Sequence, residues 1–324
     1  MKLLKKSLII ILSLMGLIWI SLFTVSHLYY HRSVMATVSE IYLRVDVNKK
    51  STKETESFLA QEKRLGNQKY KLPKNLKLTS SYRKINFHDM PVYIFNPEGK
   101  NKSAMLYLHG GAYVHQVSSF QLKAIDNIAT KSDSPVVIPM YPSAPHKTWK
   151  TSYNLLTELY QKMSQHYQKK IILTGDSAGG GLALGLAESF SQKKIAQPDK
   201  LILISPWIDI TQSNKSEEKY ESKDPILGID ELRVEGKSWA GNLDVNDYHV
   251  SPINGNMKGL KNVTLFVGTR ELFYPDVNKL YKKLRKNDVK VTKYIGSGLN
   301  HVYPMYPTPE AKDAQNIIIE LMKK

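Results

Sequence analysis

The chain has 324 residues, 42% of them hydrophobic and only 23% charged, so it can bury one large core and disorder is excluded as its default state. It contains no cysteine, which excludes disulfides, cysteine-based zinc sites and a cysteine nucleophile. The net charge of +17 is uneven: residues 44–84 hold 12 Lys or Arg against 4 Asp or Glu, a stretch suited to an anionic membrane or envelope polymer or else a plain solvated face, while no nucleic-acid recognition motif accompanies it.

Residues 7–30 contain no Lys, Arg, Asp or Glu, and 8–25 is almost wholly apolar. As a helix, 7–30 would be about 36 Å long, enough to cross a bilayer. Lys2, Lys5 and Lys6 precede it while His31 and Arg32 follow, a bias that predicts a cytoplasmic N-terminus and an extracytoplasmic remainder, with Trp19, Tyr29 and Tyr30 at the interfaces. A cleaved signal peptide is the competing reading, since Val34-Met35-Ala36 resembles a cleavage site. The length of the run, and the bulky His27, Leu28, Tyr29 and Tyr30 before that site, favour an uncleaved anchor. The expected organisation is a tip and anchor at 1–32, a basic linker at 33–77 whose helices could join a lid, and a catalytic domain at 78–324.

Residues 33–66 read as polar helix ending near Gly66. Strand patterns then begin: 82–87 and 91–95 flank a His88-Asp89 turn and read as an antiparallel hairpin, followed by short apolar runs at 104–108, 136–140, 171–174, 200–204, 263–268 and 291–295. Between them lie helical periods, as in Leu155, Leu156, Leu159 and Tyr160, or Val277, Leu280, Tyr281 and Leu284. Thr308 and Pro309 read as the cap and first residue of a last helix whose apolar face is Ala314, Ile317, Ile318 and Leu321. Such alternation predicts a mostly parallel sheet covered by helices on both faces, with ligands beyond the carboxyl ends of its strands. Residues 207–250 break the alternation and read as a lid insertion.

Gly175-Asp176-Ser177-Ala178-Gly179-Gly180 sits between the apolar run at 171–174 and a segment rich in Ala and Leu. A Gly-x-Ser-x-Gly turn from strand to helix is strained, and it holds the serine hydroxyl above the sheet at the positive end of the helix. Ser177 is therefore the candidate nucleophile. A phosphate loop fits worse, because Gly181-Leu182 stands where the lysine is required. His109-Gly110-Gly111-Ala112-Tyr113 follows another strand, and the amides of Gly110, Gly111 and Ala178 are the expected oxyanion hole, His109 serving to fix the loop. No metal cluster is visible, since His109 with His115 lacks the adjacent carboxylate of His-Glu-x-x-His.

A serine hydroxyl needs a base. Among nine histidines, His301 follows the last strand through the flexible loop Gly296-Ser297-Gly298-Leu299-Asn300, where the third member of a Ser, acid, His order belongs. Two acids compete. Glu271 comes directly after the run at 263–268, whereas Asp276 precedes a periodic run and reads as a helix cap. Glu271 is preferred on position.

These motifs, with Tyr141-Pro142-Ser143-Ala144-Pro145, Ser205-Pro206-Trp207-Ile208-Asp209 and Ser251-Pro252, resemble the α/β-hydrolase superfamily, specifically bacterial esterases similar to hormone-sensitive lipase. The resemblance runs from about residue 104 to the end. It implies a sheet of about eight strands, a lid built from the N-terminal segment and 207–250, and hydrolysis of small-molecule or lipid carboxylic esters without a cofactor. The family more often carries Asp-Pro-Leu where Glu271-Leu272 stands here, and Gly-Phe after its histidine where this chain has Val302-Tyr303. An amidase or envelope-polymer deacetylase would use the same groups, and a non-catalytic binding member of the superfamily would keep the pocket alone.

Overall fold

The computed structural model describes residues 2–66, 70–167 and 170–324. Eight strands, β1 (Tyr82–Phe87), β2 (Met90–Phe95), β3 (Ser103–Leu108), β4 (Val136–Pro139), β5 (Lys170–Asp176), β6 (Lys200–Ile204), β7 (Val263–Gly268) and β8 (Val291–Gly296), form one sheet in the order β1-β2-β4-β3-β5-β6-β7-β8. The first two make the expected hairpin, β2 also pairs antiparallel with β4, and every remaining pair is parallel. Each strand matches its apolar run to within a residue or two. The largest extension is in β5, which continues to Asp176 and so brings Ser177 to the very end of a central strand.

The helices are α1 (Lys2–Thr24), α2 (Val34–Asp46), α3 (Thr52–Leu65), α4 (Ser119–Ser132), α5 (Trp149–Tyr167), α6 (Ala178–Gln192), α7 (Glu218–Glu221), α8 (Ile229–Ala240), α9 (Tyr274–Lys286) and α10 (Pro309–Lys323). The period-two alternation of the strands splits the core into two layers. Leu106, Leu173, Leu203 and Leu265 face α5, α6 and α9, while Met105, Tyr107, Ile172 and Phe266 face α4 and α10. Local chemistry sets the helix ends: Ser51 with Glu54 and Ser118 with Gln121 form capping boxes, and the Thr308 side chain accepts the Ala311 amide, with Pro309 in the first turn as expected.

Residues 207–250 fold as a 3₁₀ turn at Lys215–Glu217, the short α7, and α8, with no strand among them. α3 packs against α8, so the two segments expected to cover the sheet meet each other. Trp239 of α8 stacks face to face on Tyr113 with ring centroids 4.4 Å apart, and Trp207 lies against the same tyrosine at 5.4 Å. All three rings are buried, which fixes α8 over the loop that begins at His109.

Among the described residues one helix is long and apolar enough to cross a membrane, Ile9–Tyr29, and its large side chains are exposed. Its C-terminal end and the chain just after it make buried contacts with α2 and the catalytic body. Ser26 and Arg32 are buried, the Ser26 hydroxyl donates to Thr37 Oγ1 at 2.8 Å, and Arg32 donates to the Gly298 carbonyl at 2.7 Å. Glu40 on α2 accepts from Arg32, Arg44 and Arg270. Burial alone would raise its pKa, but the hydrogen bonds from Arg270 and Arg32 outweigh that and hold it down at about 2.

Candidate active site

Ser177 occupies the corner between β5 and α6 with φ 52°, ψ −123°, a conformation a serine enters only under constraint. The constraint is visible. Its amide donates to the Ile204 carbonyl at 2.9 Å, and its own carbonyl accepts the amides of Trp207 and Gly181. The flanking glycines leave no room for a side chain: a Cβ on Gly175 would collide with the Gly179 carbonyl, and one on Gly179 with the carbonyls of Leu108 and His109.

His301 lies on the loop after β8 and places Nε2 2.9 Å from Ser177 Oγ, although the two residues are 124 positions apart. Several bonds hold that loop. The Gly298 amide donates to Thr269 Oγ1, the Arg270 amide to the Leu299 carbonyl, and the Val302 amide to Ser205 Oγ at 3.0 Å. Val302 itself sits at φ 52°, the left-handed conformation that favours glycine, here forced on a β-branched residue.

Glu271 is fully buried. Its Oε2 accepts the Ser205 hydroxyl at 2.7 Å and the Gly268 amide at 3.1 Å, and stands 3.9 Å from His301 Nδ1. Glu271 Oε1 and His301 Nδ1 are both buried without a hydrogen-bond partner. Burial raises the Glu271 pKa well above the usual carboxyl value, opposed by the Ser205 and Gly268 bonds, and burial lowers His301 to about 3. A neutral imidazole is the form able to take a proton.

Asp276 is not the expected cap. Phe273 occupies that position, and Asp276, the third residue of α9, takes the Asn214 side-chain amide at 2.6 Å. The helical period began three residues earlier than the apolar pattern suggested, because Tyr274 and Pro275 already belong to the first turn.

The nominated donors also need one correction. The Gly110 amide donates to Asp176 Oδ1 at 3.0 Å and is therefore spent. Asp176, buried at the end of β5, also takes the Tyr107 hydroxyl at 2.5 Å and the Gln121 amide at 2.8 Å; burial raises its pKa to about 6 against these bonds. Of the three, the amides of Gly111 and Ala178 have no acceptor among the described residues, and the Ala112 amide beside them is equally unengaged. Gly111 and Ala112 have φ of 128° and 51°, a turn that brings successive N–H groups to one side. His109 does hold this loop, with Nδ1 2.8 Å from the Gly110 carbonyl, its own carbonyl accepting the Tyr141 hydroxyl, and its ring stacked on Tyr141; burial lowers its pKa to about 4.

Ser177, His301 and Gly111 open on one cavity of about 590 Å³ whose walls include Leu43, Ile226, Leu232 and Met305. Ser205, which the sequence offered only as part of the Ser205-Pro206-Trp207 motif, ties the acid to the residue after the histidine, and nothing in the sequence pointed to the Tyr107 and Gln121 cradle of Asp176. These are contacts across strands, without a local pattern.

A mostly parallel sheet with a strained serine at a central strand end, an imidazole on its hydroxyl and a buried carboxyl behind defines an α/β hydrolase. The chain belongs to that family: the family profile, described as the alpha/beta hydrolase fold, matches residues 105–305, and within it the chain is a carboxylesterase-like hydrolase. An esterase of Acinetobacter venetianus is 28% identical over 221 residues, covering 67% of this chain and 73% of that protein. An acetyl-hydrolase of Streptomyces hygroscopicus is 23% identical, covering 65% of this chain and 71% of that one. Among solved structures, a Staphylococcus aureus protein provisionally assigned as an esterase superposes with a TM-score of 0.81 at 28% identity, over 85% of this chain and 94% of that chain.

Proposed function

We propose that the protein is a membrane-anchored serine esterase that cleaves carboxylic esters of short to medium acyl chain through an acyl-serine intermediate. The observation that carries this reading is the 2.9 Å approach of His301 Nε2 to Ser177 Oγ on a serine held in a strained conformation. Ser177 Oγ attacks the ester carbonyl carbon as its proton passes to His301. The negative charge that develops on the carbonyl oxygen is received by the amides of Gly111, Ala112 and Ala178 at the N-terminus of α6. Collapse expels the alcohol, which leaves with the proton from His301, and an activated water then releases the acid. Glu271 accepts the Nδ1 proton bond and stabilises the imidazolium.

A cavity of about 590 Å³ with mostly apolar walls supports acyl groups of limited length. We further propose that α1 stays attached, with its N-terminus cytoplasmic and the catalytic domain outside, and that α3 with α8 forms the lid. Cleavage after Ala36 would remove Arg32 and Ser33, which bind the Gly298 carbonyl and Glu310. Gly298 lies in the loop that carries His301, so the segment after the anchor braces the site itself.

The test is covalent labelling of the detergent-solubilised full chain by a fluorophosphonate, followed by turnover of p-nitrophenyl esters of increasing length. Labelling of the parent and none of Ser177→Ala is expected, with the best turnover at short to medium chains. Equal labelling of the two, or ligand binding without turnover, would overturn the mechanism. Protease added to intact cells should remove the domain; protection reverses the orientation.

A further inference from the structure

Three side chains that ester hydrolysis does not use converge on the wall of the catalytic cavity. His115 comes from the chain just past the glycine turn, and Glu231 and Glu235 come from α8, with one ligand atom of each within 4.8 Å of the others. Four residues apart on a helix, the two carboxylates share a face. Glu235 is only 2% exposed, yet its Oε1 accepts no hydrogen bond; His115 Nε2 stands 3.3 Å away without the alignment of one. A buried carboxylate oxygen with no donor is an unfavourable arrangement unless a proton or a cation fills the gap.

We propose that His115, Glu231 and Glu235 bind a divalent transition-metal ion, with Zn²⁺ the best match, at the rim of the substrate cavity. One imidazole with two carboxylates is a zinc-type donor set, whereas Ca²⁺ and Mg²⁺ prefer oxygen alone. A tetrahedral ion with bonds of about 2.0–2.2 Å separates its donors by roughly 3.3–3.6 Å. The His115 to Glu235 distance already meets that, so the carboxylate of Glu231 has to turn. Phe58 stacks on the His115 ring at 5.3 Å and limits its rotation.

A competing cation sits nearby. Lys50 Nζ lies 2.7 Å from Glu231 Oε1, and its backbone amide donates to Oε2. Metal binding displaces the Lys50 ammonium. The ion then links the proposed lid to the oxyanion loop, since the His115 amide donates to the Gly111 carbonyl at 2.7 Å. It also takes up part of the volume that the substrate needs.

The test is equilibrium dialysis of chelator-treated, detergent-solubilised full chain against Zn²⁺, which reads binding whether or not the esterase reading stands. One ion per chain is expected, weakened at least tenfold by His115→Ala and by Glu235→Gln, and tightened several-fold by Lys50→Ala, with unchanged circular dichroism throughout. The Lys50 variant keeps the test decisive if the other two are poorly folded, because it must gain affinity. Absence of saturable binding by the parent, binding indifferent to all three substitutions, or equal competition by Ca²⁺ or Mg²⁺ would overturn the site. A kinetic arm does rest on the esterase reading: Zn²⁺ should raise KM in the parent and not in His115→Ala, and an unchanged parental KM would remove the ion from the substrate cavity.

Discussion

Ser205→Ala removes one hydroxyl that makes two bonds, donating to Glu271 Oε2 at 2.7 Å and accepting the Val302 amide at 3.0 Å. The first restrains the carboxyl behind His301, and the second positions the residue immediately after it. A bond between neutral groups contributes about 0.5–1.5 kcal/mol, and with burial pushing Glu271 toward its neutral form both bonds fall in that range, so stability should fall by about 1–3 kcal/mol. Losing the first bond also raises the Glu271 pKa further, because that bond opposes the effect of burial. If the carboxyl loses about 1.5–3 kcal/mol of its stabilisation of the imidazolium, kcat should drop roughly 10- to 100-fold, while KM stays near its parental value because Ser205 does not face the cavity. The assay is kcat and KM on a short p-nitrophenyl ester, normalised to sites titrated by fluorophosphonate, beside a urea unfolding curve. A normalised kcat within twofold of the parent would refute the positioning role, as would a loss confined to KM.

Burial holds His301 at about 3, so the base stays neutral well into acid, and the acid limb of kcat/KM should fall below the 6.5 of an ordinary imidazole. Glu271→Gln should lower kcat and move that limb further down, since it removes the group that favours the imidazolium; a limb above 6.5 in the parent contradicts this. Glu217, buried with no hydrogen-bond donor to its carboxyl oxygens, has its pKa raised from 4.5 to about 9 by burial and by the nearby Asp276 and Asp209. The folded state therefore holds a proton that the unfolded chain has lost, and between pH 4.5 and 9 stability should decline as pH rises, by up to about 1.4 kcal/mol per unit. Glu217→Gln should flatten that decline in chemical denaturation series, and an unchanged slope would show that Glu217 does not cause it. Gly179→Ala forces a methyl group into the carbonyls of Leu108 and His109 and should cost about 1–3 kcal/mol together with most of the turnover, read by thermal melts and p-nitrophenyl ester assays.

Alternation of apolar runs with helical periods was enough to place all eight strands, because strand and helix leave different periods in a sequence and turn residues separate most of them. The serine turn was equally legible. Its strain is local, set by five consecutive residues and the strand before them. Ser177, His301 and Glu271 could be nominated for the same reason, each lying just past a recognisable strand. The hairpin turn at His88-Asp89 and the Thr308 cap belong to this class of local features.

What only the tertiary structure decided is which groups are already engaged. The Gly110 amide is identical in sequence terms to that of Gly111, yet Asp176 reaches it from a neighbouring strand and takes it out of the donor set. Asp276 has the same charge and nearly the same position as Glu271, but α9 turns it toward Asn214 while the corner after β7 leaves Glu271 behind the imidazole. His115 meets Glu231 and Glu235 only because Trp239 and Tyr113 stack and draw α8 down over the loop. A chemical group's availability depends on neighbours brought near by packing, often a hundred or so residues distant along the chain, and the sequence carries no periodic trace of such contacts.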